Sequence, residues 1–130
     1  MMTYSALEES NRRIAIEAYE KVIISFDSSR VDEYFSPNYI QHSTLAADGV
    51  AGLKSFLDWA RAEHPLIKTT IKRVFADGDY VIFHVHTVLS PGEAGAAVVD
   101  IFRMENGKIA EHWDIIQNVP TEQLNKNGMF

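Results

Sequence analysis

No cysteine occurs in the 130 residues. Disulfides and thiolate chemistry are therefore excluded, which fits a reducing compartment. Basic charge is also scarce. Lys and Arg number 12 against 18 Asp and Glu, for a net charge of −6. The cations are scattered rather than clustered, so nothing here neutralises a run of phosphates, and no nucleic-acid partner is expected. No apolar run is long enough to cross a bilayer. The opening MMTYSALEESNRR has neither the basic start nor the apolar core of a signal peptide. These absences lead us to expect a soluble cytoplasmic protein with no membrane partner. Gly49 and Gly52 flank a helix start but are not followed by Gly-Lys-Ser/Thr, so nucleotide binding is disfavoured. No nucleophile elbow, Ser-His-Asp order, repeat or low-complexity segment is visible.

Apolar residues make up 46% of the chain. That suits one globular domain over residues 1–130, with a core from about 5 to 120 and a polar, loosely ordered tail at 121–130. The first half reads as helical. Ile14, Ala15, Ala18, Tyr19, Val22, Ile23 and Phe26 recur at helical spacing after candidate N-caps at Thr3 and Ser5. A short second helix is expected over Ser29–Phe35, closed by Pro37. Asn38–Ala47 reads as a connection carrying Tyr39 and His42. A third helix starts near the N-cap Asp48 and runs to about Glu63, with Val50, Leu53, Phe56, Leu57 and Ala60 as its apolar stripe.

The second half reads as β. Thr69–Ala76, Tyr80–Leu89, Ala96–Met104 and Lys108–Gln117 form an antiparallel meander. Along Tyr80–Leu89 both faces are apolar, whereas a sheet open to water on one side should alternate. Helices can cover one face. A second copy of the chain is the simplest cover for the other, so a homodimer through the sheet is expected.

Val99–Gln117 carries the chemistry, with Asp100, His112 and Asp114 on strands flanking Asn106-Gly107. Acids and a histidine in apolar strands are costly to bury unless they are paired. The turn admits two registers. A two-residue loop pairs Glu105 with Lys108, sets Asp100 opposite Trp113 and turns Asp114 to the other face. A three-residue loop with a glycine bulge pairs Met104 with Lys108 and sets Asp100 opposite His112. We prefer the second. It groups Val98, Asp100, Phe102, Ala110, His112 and Asp114 on one face, with Val99, Ile101, Arg103, Ile109, Glu111 and Trp113 on the other.

Three helices before a curved antiparallel sheet is the layout of the nuclear transport factor 2-like cone. The motifs Asp100-Ile101-Phe102-Arg103, Glu105-Asn106-Gly107-Lys108-Ile109 and Glu111-His112-Trp113-Asp114 resemble the SnoaL-like family, as do Tyr39-Ile40-Gln41-His42 and Ala76-Asp77-Gly78-Asp79-Tyr80-Val81. The resemblance runs from the first helix to about Pro120. It implies an α+β cone, with the helices packed on the sheet around an internal pocket. It also implies cofactor-free acid/base chemistry of the kind that closes polyketide rings by intramolecular aldol condensation. The pocket Asp of those cyclases maps onto Asp114. Their histidine on the preceding strand falls near Asp100, where this chain carries an acid instead.

On that basis the candidate catalytic residues are Asp114 as acid/base, with His42 at the cone mouth and Asp100 and His112 tuning it. The candidate substrate contacts are Tyr34, Tyr39, Trp59, His84, His86, Phe102 and Trp113. The ligand expected is a small, apolar, carbonyl-containing molecule, acted on by cyclisation, isomerisation or related lyase chemistry. Two alternatives stay open. One is a binding protein without turnover. The other is a metal enzyme in which His84-x-His86 joins His112 and Asp114, since that spacing points both rings to one side of a strand.

Overall fold

The computed structural model describes residues 3–130. Helix α1 (Ala6–Ala18) opens on a capping box. The Ser5 hydroxyl accepts the Glu8 N–H at 3.1 Å, and the Glu8 carboxylate accepts the Ser5 N–H at 2.9 Å. The helix runs on as a wider π-helical turn, Tyr19–Ile24. Its apolar stripe buries Ala15, Ala18, Tyr19 and Val22. A 3-10 turn at Ser28–Arg30 leads into α2 (Val31–Tyr34), which is shorter than the pattern predicted.

The largest departure comes next. Phe35–Gln41 is a strand, β1, rather than the end of a helix followed by a loop. Pro37 therefore lies inside an edge strand, where a missing N–H is tolerated. Helix α3 (Gly49–Glu63) starts as expected at Asp48, whose carboxylate accepts the Gly49 N–H at 2.8 Å. The same oxygen accepts the Gln41 N–H at 2.8 Å, tying the end of β1 to the start of α3.

Strands β2 (Lys68–Asp77), β3 (Tyr80–Val88), β4 (Ala96–Glu105) and β5 (Lys108–Asn118) form the expected meander. β1 adds to β5 in parallel, giving the order β1-β5-β4-β3-β2. The sheet is thus mixed and five-stranded, not wholly antiparallel. Its inner face, with Val81, Phe83, Val85, Val98 and Phe102, packs against the helices. That burial is the main favourable term holding the layers together.

The β4–β5 hairpin corrects the preferred register. Asn106 (φ 51°) and Gly107 (φ 76°) alone form the loop, and Glu105 pairs with Lys108. Positive φ at both central residues marks a type I′ turn, whose twist suits the flanking strands. The bulge comes later. Met104 pairs with Ile109 but Arg103 with Glu111, so Ala110 is the extra residue. This one-residue shift restores the parity that the two-residue turn would have lost. Asp100, Phe102, His112 and Asp114 share the inner face after all, but Asp100 stands opposite Asp114 rather than His112. Ile109, expected outside, is buried in the core ahead of the bulge.

Candidate active site

A cavity of about 530 Å³ lies between α3, the π-helical turn and the inner face of the sheet. Its walls are mostly apolar, including Ile23, Phe35, Leu53, Leu57, Val98 and Phe102. Polar groups converge at one end: Tyr19, Tyr39, Gln41, Ser43, Asp100, His112 and Asp114. Among the described residues, no lysine or arginine lines it.

The polar end is connected throughout. Tyr19 Oη donates to Asp100 Oδ2 at 2.6 Å. His112 Nε2 lies 2.8 Å from Asp100 Oδ1, and His112 Nδ1 lies 2.7 Å from Gln41 Oε1. The Ser43 N–H donates to that same Gln41 oxygen at 3.0 Å. Both oxygens of Asp100 are therefore engaged, and its residue exposure is only 5%. Two acids facing each other across a strand pair repel. His112 offsets the repulsion by pairing with one of them.

Asp114 is the less committed acid. Burial raises its pKa above the ordinary 3.8, and the neighbouring Asp100 charge adds to that, while His112 and a hydrogen bond from Ser43 act in the opposite sense. Burial, then the charges of Asp100 and Asp114, pushes the Tyr19 and Tyr39 hydroxyls well above their usual range, so both keep their protons as donors. The site thus joins a carboxylate shifted toward neutrality to hydroxyl donors at the end of an apolar chamber. Such a site can move a proton next to a carbonyl and stabilise the oxyanion that results.

A family model described as SnoaL-like polyketide cyclase matches residues 13–124. The chain belongs to the SnoaL-like polyketide cyclase family. Solved structures agree on the fold of this SnoaL-like protein. A candidate polyketide cyclase from Bacillus cereus superposes with a TM-score of 0.74 at 20% identity, over 87% of this chain and 78% of that one. IdmH from Streptomyces antibioticus gives 0.69 at 19%, over 82% and 91%. A candidate ketosteroid isomerase from Kribbella flavida gives 0.72 at 15%, over 92% and 87%. No curated protein matches the chain.

Of the residues proposed from sequence, the cavity of this SnoaL-like protein brings together Asp100, His112, Asp114, Tyr39, Trp59 and Phe102. It does not collect the others. His42 was expected at the mouth, but it leaves β1 on the outer face, where its ring stacks on Trp113 at 4.8 Å and Nε2 lies 2.6 Å from Glu111. Trp113 belongs to that outer face, because it alternates with His112 and Asp114 along β5. Tyr34 is buried beneath the Arg30 guanidinium, outside the cavity lining. His84 and His86 alternate with the buried Phe83 and Val85, so they too point outward. His84 contacts the Arg73 guanidinium, and His86 Nε2 lies 2.8 Å from the Ala94 carbonyl. Phe130, in the tail expected to be loose, covers both rings at 5.4 and 4.3 Å.

The sheet therefore separates His84 and His86 from His112 and Asp114, and the metal set drawn from all four cannot assemble. Asp100, His112 and Asp114 offer ligand atoms within 4.8 Å of one another. To bind an ion there, His112 would first have to release Asp100 or Gln41.

Sequence reading missed Tyr19, Gln41 and Ser43. A signal for Gln41 existed. Had β1 been read as extended, period-2 alternation would have set Tyr39 and Gln41 on one side and Ile40 on the other. Tyr19 carried no such signal, because a core tyrosine and a site tyrosine occupy the same helical stripe.

The raised pKa of Asp114 has a consequence for stability. A carboxyl that ionises less readily folded than unfolded contributes stability that is full below its unfolded pKa and lost as pH rises through its folded one. Asp114→Asn, which cannot ionise, is expected to melt higher than wild type at neutral pH. The gain should fade as pH falls toward 3.8. Thermal melts across that range check the sign, and a variant that melts lower at neutral pH contradicts it.

Proposed function

We propose that this protein is a cofactor-free acid/base enzyme acting on a small, uncharged, largely apolar carbonyl compound. Asp114 removes or returns a proton beside the carbonyl. The hydroxyl of Tyr39, with the His112–Asp100 pair behind it, offers hydrogen bonding to the enolate oxygen. The observation that carries this reading is one partly buried carboxylate beside a second whose oxygens are both taken. Family membership supports cyclase or isomerase chemistry in general. The lining supports the substrate class: among the described residues, Asp100, Asp114 and Glu93 face the cavity with no lysine or arginine, and His112 is already committed to Asp100, so a ligand carboxylate or phosphate would meet an excess of negative charge.

A matched pair of probes tests this. Acetylnaphthalene should bind and exchange its α-protons into deuterated water faster with protein than without. Naphthoic acid should bind at least roughly tenfold more weakly at neutral pH, as expected when a buried charge lacks a partner. Equal binding of the two would remove the substrate class. Absence of exchange despite binding would favour the alternative of a ligand carrier.

The outer face supports a homodimer through the sheet. Ile115 is 66% and Tyr80 41% exposed there, beside Val99, Ile101 and Trp113. Contiguous apolar patches of this kind mark association sites. Light scattering at micromolar concentration should report two chains, and Ile115→Glu should shift the species to one. A monomeric wild type would end this reading.

A further inference from the structure

One side chain on the edge strand decides where the protons of the polar cluster can sit. Gln41 of β1 pairs in register with His112 of β5. Its Oε1 accepts the Ser43 N–H at 3.0 Å and lies 2.7 Å from His112 Nδ1. A backbone N–H can only donate, so the atom it meets is the amide oxygen, and the amide cannot be flipped. An oxygen in turn can only accept, so Nδ1 carries a proton. The opposite ring nitrogen faces Asp100 Oδ1 at 2.8 Å, while Tyr19 donates to Asp100 Oδ2 at 2.6 Å. A single proton then lies between Nε2 and Oδ1. Whether it rests on nitrogen or on oxygen, the pair carries no net charge.

Without an acceptor at position 41 the accounting changes. Neutral imidazole satisfies Asp100 with its one proton on Nε2, and nothing holds a second proton on Nδ1. The pair then carries one negative charge directly opposite Asp114, the cross-strand partner of Asp100. We propose that Gln41 is a positioning residue: it pins the Nδ1 proton of His112 and so keeps the His112–Asp100 pair electrically neutral beside Asp114. The mechanistic value of this lock rests on the acid/base reading of Asp114, but the lock itself needs no substrate.

Nitrogen NMR on protein labelled in the histidine rings tests it at neutral pH, with His112 assigned by its loss in His112→Gln. In wild type, Nδ1 should resonate as a proton-bearing nitrogen. In Gln41→Met, close in shape but without a strong acceptor, the Nδ1 signal should move to the bare-nitrogen region. In Gln41→Glu, whose carboxylate still accepts both N–H groups, it should stay proton-bearing. A bare Nδ1 in wild type, or an unmoved signal in Gln41→Met, overturns the proposal. If Gln41→Met does not fold, Gln41→Glu decides alone, since loss of its Nδ1 proton overturns the lock as well. Failure of the acid/base reading would appear elsewhere, as proton exchange that survives removal of the Asp114 carboxylate, and would leave these spectra unchanged.

Discussion

Asp114→Asn is expected to slow α-proton exchange of a bound ketone by roughly a hundred- to ten-thousand-fold, the usual contribution of a positioned acid/base group. Binding of the ketone should change little. Asparagine is nearly isosteric and can keep its contact with Ser43, so the cavity keeps its shape while losing its proton acceptor. Asp100 cannot take over. One of its oxygens accepts from Tyr19 and the other meets His112, so accepting a substrate proton there would break a buried charge-assisted contact. Exchange by NMR in deuterated water, with affinity measured on the same sample, separates the two effects. If exchange persists at the wild-type rate, Asp114 is not the base. Taken with the expected gain in neutral-pH stability, the substitution sets activity against stability at a single carboxyl.

His112→Leu should destabilise the fold by about 3–5 kcal/mol, the range seen when one member of a buried ion pair is removed. The His112 and Asp100 side chains are only 11% and 7% exposed. Removing the ring leaves Asp100 with Tyr19 alone, and leaves the Gln41 oxygen with Ser43 alone. The desolvation already imposed on Asp100 then has nothing opposite to offset it. Replacing both members with Leu should recover part of the loss, because an apolar pair needs no partner. Urea denaturation of wild type, both single variants and the double variant closes the cycle. Losses that simply add would mean the two residues do not act as a pair.

The hairpin shows how local sequence can reach a correct grouping by a wrong path. Asn106-Gly107 signals a two-residue type I′ turn, and that is the loop that forms. By itself this turn would put Asp100 and Asp114 on opposite faces. The bulge at Ala110 reverses the parity. No residue type at 110 announces it. It forms because Ile109 and Met104 gain burial in the core before the bulge, and His112 and Asp114 reach the cavity after it. The loss of β1 to the reading has a related cause. A parallel edge strand containing Pro37 lacks the local pairing and turn signals that reveal a hairpin. Only its partner β5, distant in sequence, makes it a strand.

By itself the sequence determined the order of helices and meander strands, the cap at Asp48, the family, and the fact that Tyr80, Ile82, His84 and His86 share one side of their strand. Periodicity and capping are local, and local chemistry writes them directly. Only the tertiary structure decided which side of each strand turns inward, because both sides of β3 are apolar enough to be buried. Packing of the helices on Val81, Phe83 and Val85 settled that question. It sent His84, His86, His42 and Trp113 outward and closed Tyr19, Gln41 and Ser43 around the acids. A charge cluster assembled from four separate elements exists only once the chain has brought them into contact.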